Sequence, residues 1–285
     1  MKVSFLDYWQ APGSFQQENN FFIHLLRKIF EGVTISDPED ADVIFSLGFG
    51  VDYTRFKDCV RIQYVGENVR PNLKVFNYSL TYDFDSYDGK NFRFPLWMMH
   101  IDWFNVGTYD NPEWLIPESY LYGKNEFTQK PKDKFCSIVY GKQIDSRINA
   151  IKNISNAYKN VDVFGKANPY IPLPDGEKHK MDLISDYKFS LCYENTVTPG
   201  YHTEKLLHGK VAGNVPIYYG DETISEDFNI KGFINAVNMS DEELVEKIKK
   251  IDSNDKLYNS IINEPIFDKK ISLDNISNFF YNILN

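Results

Sequence analysis

Apolar and polar positions alternate along this chain in two rhythms, and the second half shows them most clearly. Across Tyr187–Tyr193 almost every residue is aromatic, small or apolar, and the run stops abruptly at Glu194-Asn195. A short unbroken apolar run of this kind reads as a strand buried on both faces. Pro199 and Gly200 then punctuate a turn. Thr203 stands where a helix cap belongs, ahead of Leu206, Leu207, Val211 and Ala212 at helical spacing, and Gly213-Asn214 stops the helix. Val215–Tyr219 reads as a second buried strand. A strand, loop, helix and strand in this order set the loop at the carboxyl end of a parallel sheet, where α/β folds bind ligands.

The remaining pattern repeats the theme. Residues 2–8, 41–47, 61–65, 76–82 and 92–96 are strand-like, and residues 10–13 are read as loop. Phe21, Phe22, Leu25, Leu26 and Ile29 recur at helical spacing. Between positions 109 and 131 the pattern degrades into Asn, Pro, Glu, Gly and Lys, which marks a domain boundary. Beyond it come a strand at 135–140, a helix at 144–158, a strand at Val161–Phe164 and a proline-rich loop at 168–176. A strand at 233–237 follows, then a helix whose Asp241-Glu242-Glu243 start and Lys247, Lys249 and Lys250 end suit the helix dipole. The alternation predicts an α/β fold with parallel sheets in two domains. Residues 1–125 form the first and 126–265 the second, and an amphipathic helix within 266–285 is expected to pack back across them.

Composition narrows the function classes. The 285 residues carry a net charge of -9, which argues against general nucleic-acid binding and makes any phosphate site a local one. Cys59, Cys136 and Cys192 are few and widely spaced, with no CxxC pair, so reduced thiols in a cytoplasmic protein are expected. The first residues lead straight into a strand-like run, and no apolar stretch is long enough to span a membrane. A cytoplasmic location, at most peripheral at the inner face of the membrane, follows as an expectation. The four N-x-S/T matches at Asn77, Asn153, Asn238 and Asn275 are read as incidental in an Asn-rich chain.

Lys205 is the residue that asks for chemistry. It falls in the first turn of its predicted helix, where the macrodipole disfavours a cation. A bound anion would remove the conflict, since helix N-termini bind phosphate; the alternative is a lysine pointing into water. Asp83-Phe84-Asp85 has the form of a metal-binding DxD, but it lies far in sequence from every phosphate element and is read as loop carboxylates. His24, His100, His179, His202 and His208 lack metal-ligand spacing, so no metal site is expected.

Three blocks now form a resemblance: Phe189 to Asn195, Gly200-Tyr201-His202-Thr203-Glu204-Lys205, and Ala212 to Gly220. Their order and spacing resemble the signature of the α-1,3/4-fucosyltransferases, in particular the bacterial ones. Val161–Phe164 with Gly165-Lys166 is similar to a further strand of that family. Tyr64-Val65-Gly66-Glu67-Asn68 with Pro71-Asn72 resembles its acceptor-domain segment. The likeness covers roughly residues 60–265. It implies two Rossmann-like domains facing a cleft, the GT-B type of glycosyltransferase. It also implies a GDP-fucose donor, inversion at the anomeric carbon, and an oligosaccharide or glycoconjugate acceptor, with α-1,3 transfer to the GlcNAc of a galactosyl-GlcNAc unit as the expectation.

An inverting transfer needs one base for the acceptor proton and positive charge for the departing diphosphate. The resemblance nominates Glu67 as base, with Glu194 at another strand end as the alternative. Arg147 and Lys205 are the cations for the diphosphate, and divalent metal is dispensable beside them. Glu204 is assigned to the ribose hydroxyls, Asn195, Tyr201 and His202 to the donor pocket, and Phe164, Gly165 and Lys166 to the guanine side. Two other readings stand beside this one: a related transferase using another nucleotide sugar, and a non-catalytic nucleotide- or sugar-binding module.

Overall fold

A computed structural model describes residues 1–8, 16–50, 52–165 and 176–285. Lys166 and the expected loops at 10–13 and 168–175 lie outside the described residues. The chain divides into two compact units, Met1–Ile116 with Lys270–Asn285, and Pro117–Lys269.

The first unit is built on a six-stranded, wholly parallel sheet. Its strands are β1 (Lys2–Leu6), β2 (Thr34–Ile35), β3 (Val43–Ser46), β4 (Val60–Tyr64), β5 (Tyr78–Thr81) and β6 (Asn91–Arg93), in the spatial order β2-β1-β3-β4-β5-β6. The strand expected at 92–96 stops earlier because Pro95 has no N–H to extend the ladder. A short ribbon of β7 (Ile101–Asp102) and β8 (Ile116–Pro117) follows. Helix α1 (Phe21–Ile29) starts where the Asn20 side chain accepts from the Phe22 and Ile23 amides, satisfying two orphan donors. It buries Phe21, Phe22, Ile23, Leu25 and Leu26 against the sheet. The core is largely aromatic, with Phe22 stacked on Phe45 at 4.9 Å and edge-on to Tyr64 at the same distance.

The second unit repeats the plan. Strands β9 (Lys134–Val139), β10 (Val161–Phe164), β11 (Tyr187–Tyr193), β12 (Val215–Tyr219) and β13 (Ile234–Asn235) form a parallel sheet in the order β10-β9-β11-β12-β13. Its helices are α2 (Asp145–Ala157), α3 (Gly176–Ile184), α4 (Glu204–Val211), α5 (Asp241–Asp252) and α6 (Asp255–Ile262). A capping box between Ser240 and Glu243 opens α5. The central strand β11 is buried nearly throughout, which is why its sequence is an unbroken apolar run.

Two boundaries differ from expectation. The first unit ends at Ile116 rather than near 125, because residues 117–133 bond to second-unit elements. Asn125 donates to the Val211 carbonyl at 3.1 Å, and the Lys132 ammonium donates to the carbonyls of Phe127, Ser185 and Ala212. The terminal helix α7 (Asp274–Leu284) belongs to the first unit. There Phe280 meets Phe22 and Phe45, and Phe279 meets Phe92.

Candidate active site

The site candidates in the second unit collect where β11 ends and α4 begins. Glu194 follows the last residue of β11, and its amide bonds to the Tyr219 carbonyl, continuing the sheet for one step. Its side chain is 1 % exposed and turns toward α4. Oε1 accepts from the Thr203 amide at 2.8 Å, and the Thr203 hydroxyl lies 2.9 and 2.8 Å from the two carboxylate oxygens. Thr203 holds the cap position of α4, but its hydroxyl is drawn to Glu194 and makes no cap bond to the helix backbone. Glu194 is the anion at this helix start.

Lys205 completes the cluster. Its ammonium donates to Glu194 Oε2 at 3.1 Å and to the Thr203 hydroxyl at 2.8 Å, with Glu204 Oε1 at 3.6 Å. Burial works against its charge, yet Glu194 and Glu204 outweigh burial and raise its pKa. The side chain keeps 20 % of its surface exposed, so the cation reaches the surface while held from within. It does not simply point into water. The mismatch seen in the sequence is answered by a carboxylate of the chain itself.

Arg147 lies on the first turn of α2 and is buried. Its Nε and Nη2 donate to the Tyr193 carbonyl at 3.1 and 2.6 Å, its Nη1 donates to the Lys142 carbonyl at 2.9 Å, and it lies 5.4 Å over the Tyr140 ring. Burial lowers its pKa, while the fields of Glu194 and Glu204 act the other way. Among the described residues no carboxylate forms an ion pair with it. Arg147, Glu194, Glu204 and Lys205 therefore make one electrostatic group at the end of β11.

The loop leading into α4 is pinned as well. Asp221, just past β12, accepts from the Gly200 amide at 2.8 Å and from the Thr223 hydroxyl. Burial raises the Asp221 pKa, but the Thr223 and Gly200 bonds and His202 outweigh it and leave the carboxyl below its ordinary value. His202 is buried, with Nδ1 2.6 Å from Asp227 and Nε2 3.5 Å from Asp221. Both ring nitrogens face partners inside the unit, so the ring anchors the loop rather than presenting an edge for a donor, as had been expected. Tyr201 is buried beside it. Asn195 Oδ1 is buried without a hydrogen-bond partner among the described residues, which leaves an acceptor available at the loop's start.

Phe164 and Gly165 sit at the end of β10. Gly165 has φ +98, and a Cβ there would come within 2.5 Å of the Tyr140 carbonyl oxygen, so only glycine lets this turn close. Phe164 is buried edge-on to Tyr187. Glu67 lies in the first unit, exposed on the loop after β4. Asp83 of the DxD accepts from Arg70 at 2.5 Å and from the Tyr87 hydroxyl at 2.8 Å, while Asp85 closes its own turn onto the Tyr87 amide. Thr203 and Asp221 are the contributors that sequence reading missed. Asp221 could have been noticed, since it lies two residues past the end of β12 at Tyr219, much as Glu194 follows β11.

Two family models match the chain in succession. Residues 3–100 match the alpha-(1,3)-fucosyltransferase FucT N-terminal domain, and residues 128–263 match the C-terminal part of glycosyltransferase family 10, the fucosyltransferases. The chain belongs to this fucosyltransferase family. A protein of Acanthamoeba polyphaga mimivirus is 40 % identical over 159 residues, covering 52 % of this chain and 26 % of that protein. The alpha-(1,3)-fucosyltransferase FucT of Helicobacter pylori is 25 % identical over 315 residues, covering all of this chain and 66 % of that enzyme. The chain thus spans between a quarter and two thirds of the length of these relatives. A crystal structure of an alpha1,3-fucosyltransferase with GDP-fucose superposes with a TM-score of 0.75 at 21 % identity, covering all of this chain and 90 % of that one. The shared fold is the GT-B glycosyltransferase fold of two Rossmann-like units. No helix among the described residues is long and apolar enough to cross a membrane.

Proposed function

We propose that this chain transfers L-fucose from GDP-fucose to a hydroxyl of an acceptor glycan, with inversion at the anomeric carbon. The observation that carries the reading is the Lys205 ammonium held by Glu194 and Thr203 at the start of α4. Arg147 lies close enough for its charge to be shaped by the same two glutamates. Membership of the family supports it, as does the likeness in fold to a fucosyltransferase solved with GDP-fucose.

In this mechanism the acceptor oxygen attacks the fucose C1 while the bond from C1 to the phosphate oxygen breaks. The electron pair of that bond leaves with GDP, and the acceptor proton passes to Glu67. Lys205 and Arg147 take up the charge growing on the diphosphate, which is why a divalent cation is dispensable and GDP needs no acid to leave. Glu204 binds ribose hydroxyls, Asn195 and Tyr201 line the donor pocket, and the turn at Phe164-Gly165 shapes the guanine side. The linkage is α-1,3 to the GlcNAc of a galactosyl-GlcNAc acceptor.

The test is a reaction of GDP-fucose with N-acetyllactosamine, followed by proton NMR of the anomeric signals. The expected outcome is a single α-configured fucoside with one equivalent of GDP. A β-configured product, or turnover confined to another nucleotide sugar, contradicts the reading.

A further inference from the structure

Three adjacent parallel strands of the first unit end in loops that have one geometry in common. Strand β3 ends at Ser46, β4 at Tyr64 and β5 at Thr81, and each is followed three residues later by Phe49, Glu67 and Phe84 respectively. The ladder sets Ser46 opposite Gln63 and Gln63 opposite Ser79, so all three residues stand just beyond one carboxyl edge. Phe49 is 61 % exposed and Phe84 45 %, among the few large apolar side chains left exposed in the described part of this unit. A single exposed phenylalanine is ordinary. Two of them flanking a candidate base, each on a tightly held loop, is a different matter.

The Phe84 loop is braced from below and from the side. Buried Asn91 donates to the carbonyls of Asp83 and Asp85, on both sides of Phe84, at 3.2 and 2.8 Å. The other end of that amide accepts from Ser79 and Thr81 at 2.9 and 3.0 Å, which locks Asn91 to β5. The Arg93 guanidinium stacks 4.3 Å over one face of the Phe84 ring. The loop is also tied to that of Glu67, because Arg70 donates to Asp83 and the Tyr82 hydroxyl donates to Asn68 at 2.6 Å. The Asp83-Phe84-Asp85 motif therefore has a use that is not metal binding: its carboxylates fix the loop and its ring is presented outward. On the other flank, Gly48 has φ +77, and a Cβ on Gly50 would fall 2.1 Å from Asp7 Oδ1. On this flank Gly48 holds a left-handed conformation that glycine adopts freely, and Gly50 packs directly against the Asp7 carboxylate.

We propose that Phe49 and Phe84 are the two aromatic walls of a pyranoside-binding subsite centred on Glu67, which holds the acceptor sugar by stacking against its C–H faces. The strands that carry them lie two ladder spacings apart, roughly 10 Å, which leaves room for a sugar ring between two aromatic side chains. The inference rests on the transferase reading above and names where the acceptor is held.

The test uses the full chain in the presence of GDP and N-acetyllactosamine as the probe, with binding read by ligand-observed saturation-transfer NMR. Phe84→Ala and Phe49→Ala should each weaken disaccharide binding roughly five- to tenfold, the scale of one lost aromatic contact. Melting temperature and GDP affinity should not change, since neither ring is in the core. Phe84→Trp should retain or strengthen binding. Wild-type affinity for the disaccharide in both alanine variants overturns the proposal, and so does a wild-type chain that binds GDP but not the disaccharide. A wild-type chain that does not bind GDP overturns the underlying transferase reading instead.

Discussion

Glu194 and Lys205 meet at 3.1 Å at the start of α4, brought together by a return of the chain that also places Thr203 on the same carboxylate nine residues after Glu194. The carboxylate is almost fully buried and accepts from an amide, a hydroxyl and an ammonium. Those three contacts fix the helix start and the cation on it.

Glu194→Gln should therefore cost stability, roughly 2–4 kcal/mol, because a buried charge pair is broken from one side. Urea unfolding measures this. The variant's residual transfer should keep the wild-type loss of rate on acidification. Stability equal to wild type, or loss of that pH dependence, would return Glu194 to the role of base.

Glu67→Gln should behave in the opposite way. Glu67 is exposed, so the near-isosteric amide should leave the melting temperature and GDP affinity alone. Transfer to acceptor should fall about a hundredfold or more, the usual scale for a lost general base. The acid limb of the rate profile should vanish with it. Near-normal transfer in this variant excludes Glu67 as base.

Asp252 gives a pH prediction with a definite sign. Its side chain is 3 % exposed and accepts from Lys159 at 2.6 Å, Lys188 at 2.5 Å and the Tyr158 hydroxyl at 2.8 Å. Burial pushes its pKa up, but these three bonds outweigh burial and leave it below the ordinary 3.8. Its contribution to stability is thus fully present above that value and is lost as pH falls through the lowered one. Asp252→Asn should cost about 2–3 kcal/mol at neutral pH, and the gap from wild type should narrow below pH 3.8. A gap that stays constant down the acid range contradicts this.

Turnover should survive exhaustive chelation, since the proposed mechanism draws its positive charge at the diphosphate from Lys205 and Arg147. A loss of activity that only a divalent ion restores would show that charge is missing from this account.

Elements buried on both faces were legible from sequence almost to the residue. Tyr187–Tyr193 and Val215–Tyr219 read correctly because parallel strands in a sheet covered on both sides carry unbroken apolar runs. Helix α1 was equally plain, its buried Phe21, Phe22, Leu25 and Leu26 falling on one face. Helix α3 was missed because it opens at Gly176 directly after a proline-rich stretch read as loop. Helix α6 is short, and the Asn254 cap is the main mark it leaves in the sequence. The site divides along the same line. The residues that reach Glu194 were in plain view, but their meeting depends on where the loop turns back, which no periodicity records. That fold-back is what sets the Thr203 amide and the Lys205 ammonium against the Glu194 carboxylate. Likewise, the ring edges of His202 could be assigned only once Asp221 and Asp227 were seen against them.

The central claim is that the cation at the start of α4 binds the donor's diphosphate, and calorimetric titration of GDP into wild type and Lys205→Ala tests it most directly. The titration is run at a temperature where melting curves show both proteins folded. Loss of a charge-assisted contact to phosphate corresponds to about 2 kcal/mol or more, roughly a thirtyfold weaker Kd. That is the result this account predicts. GDP affinity unchanged in a folded Lys205→Ala protein would contradict it.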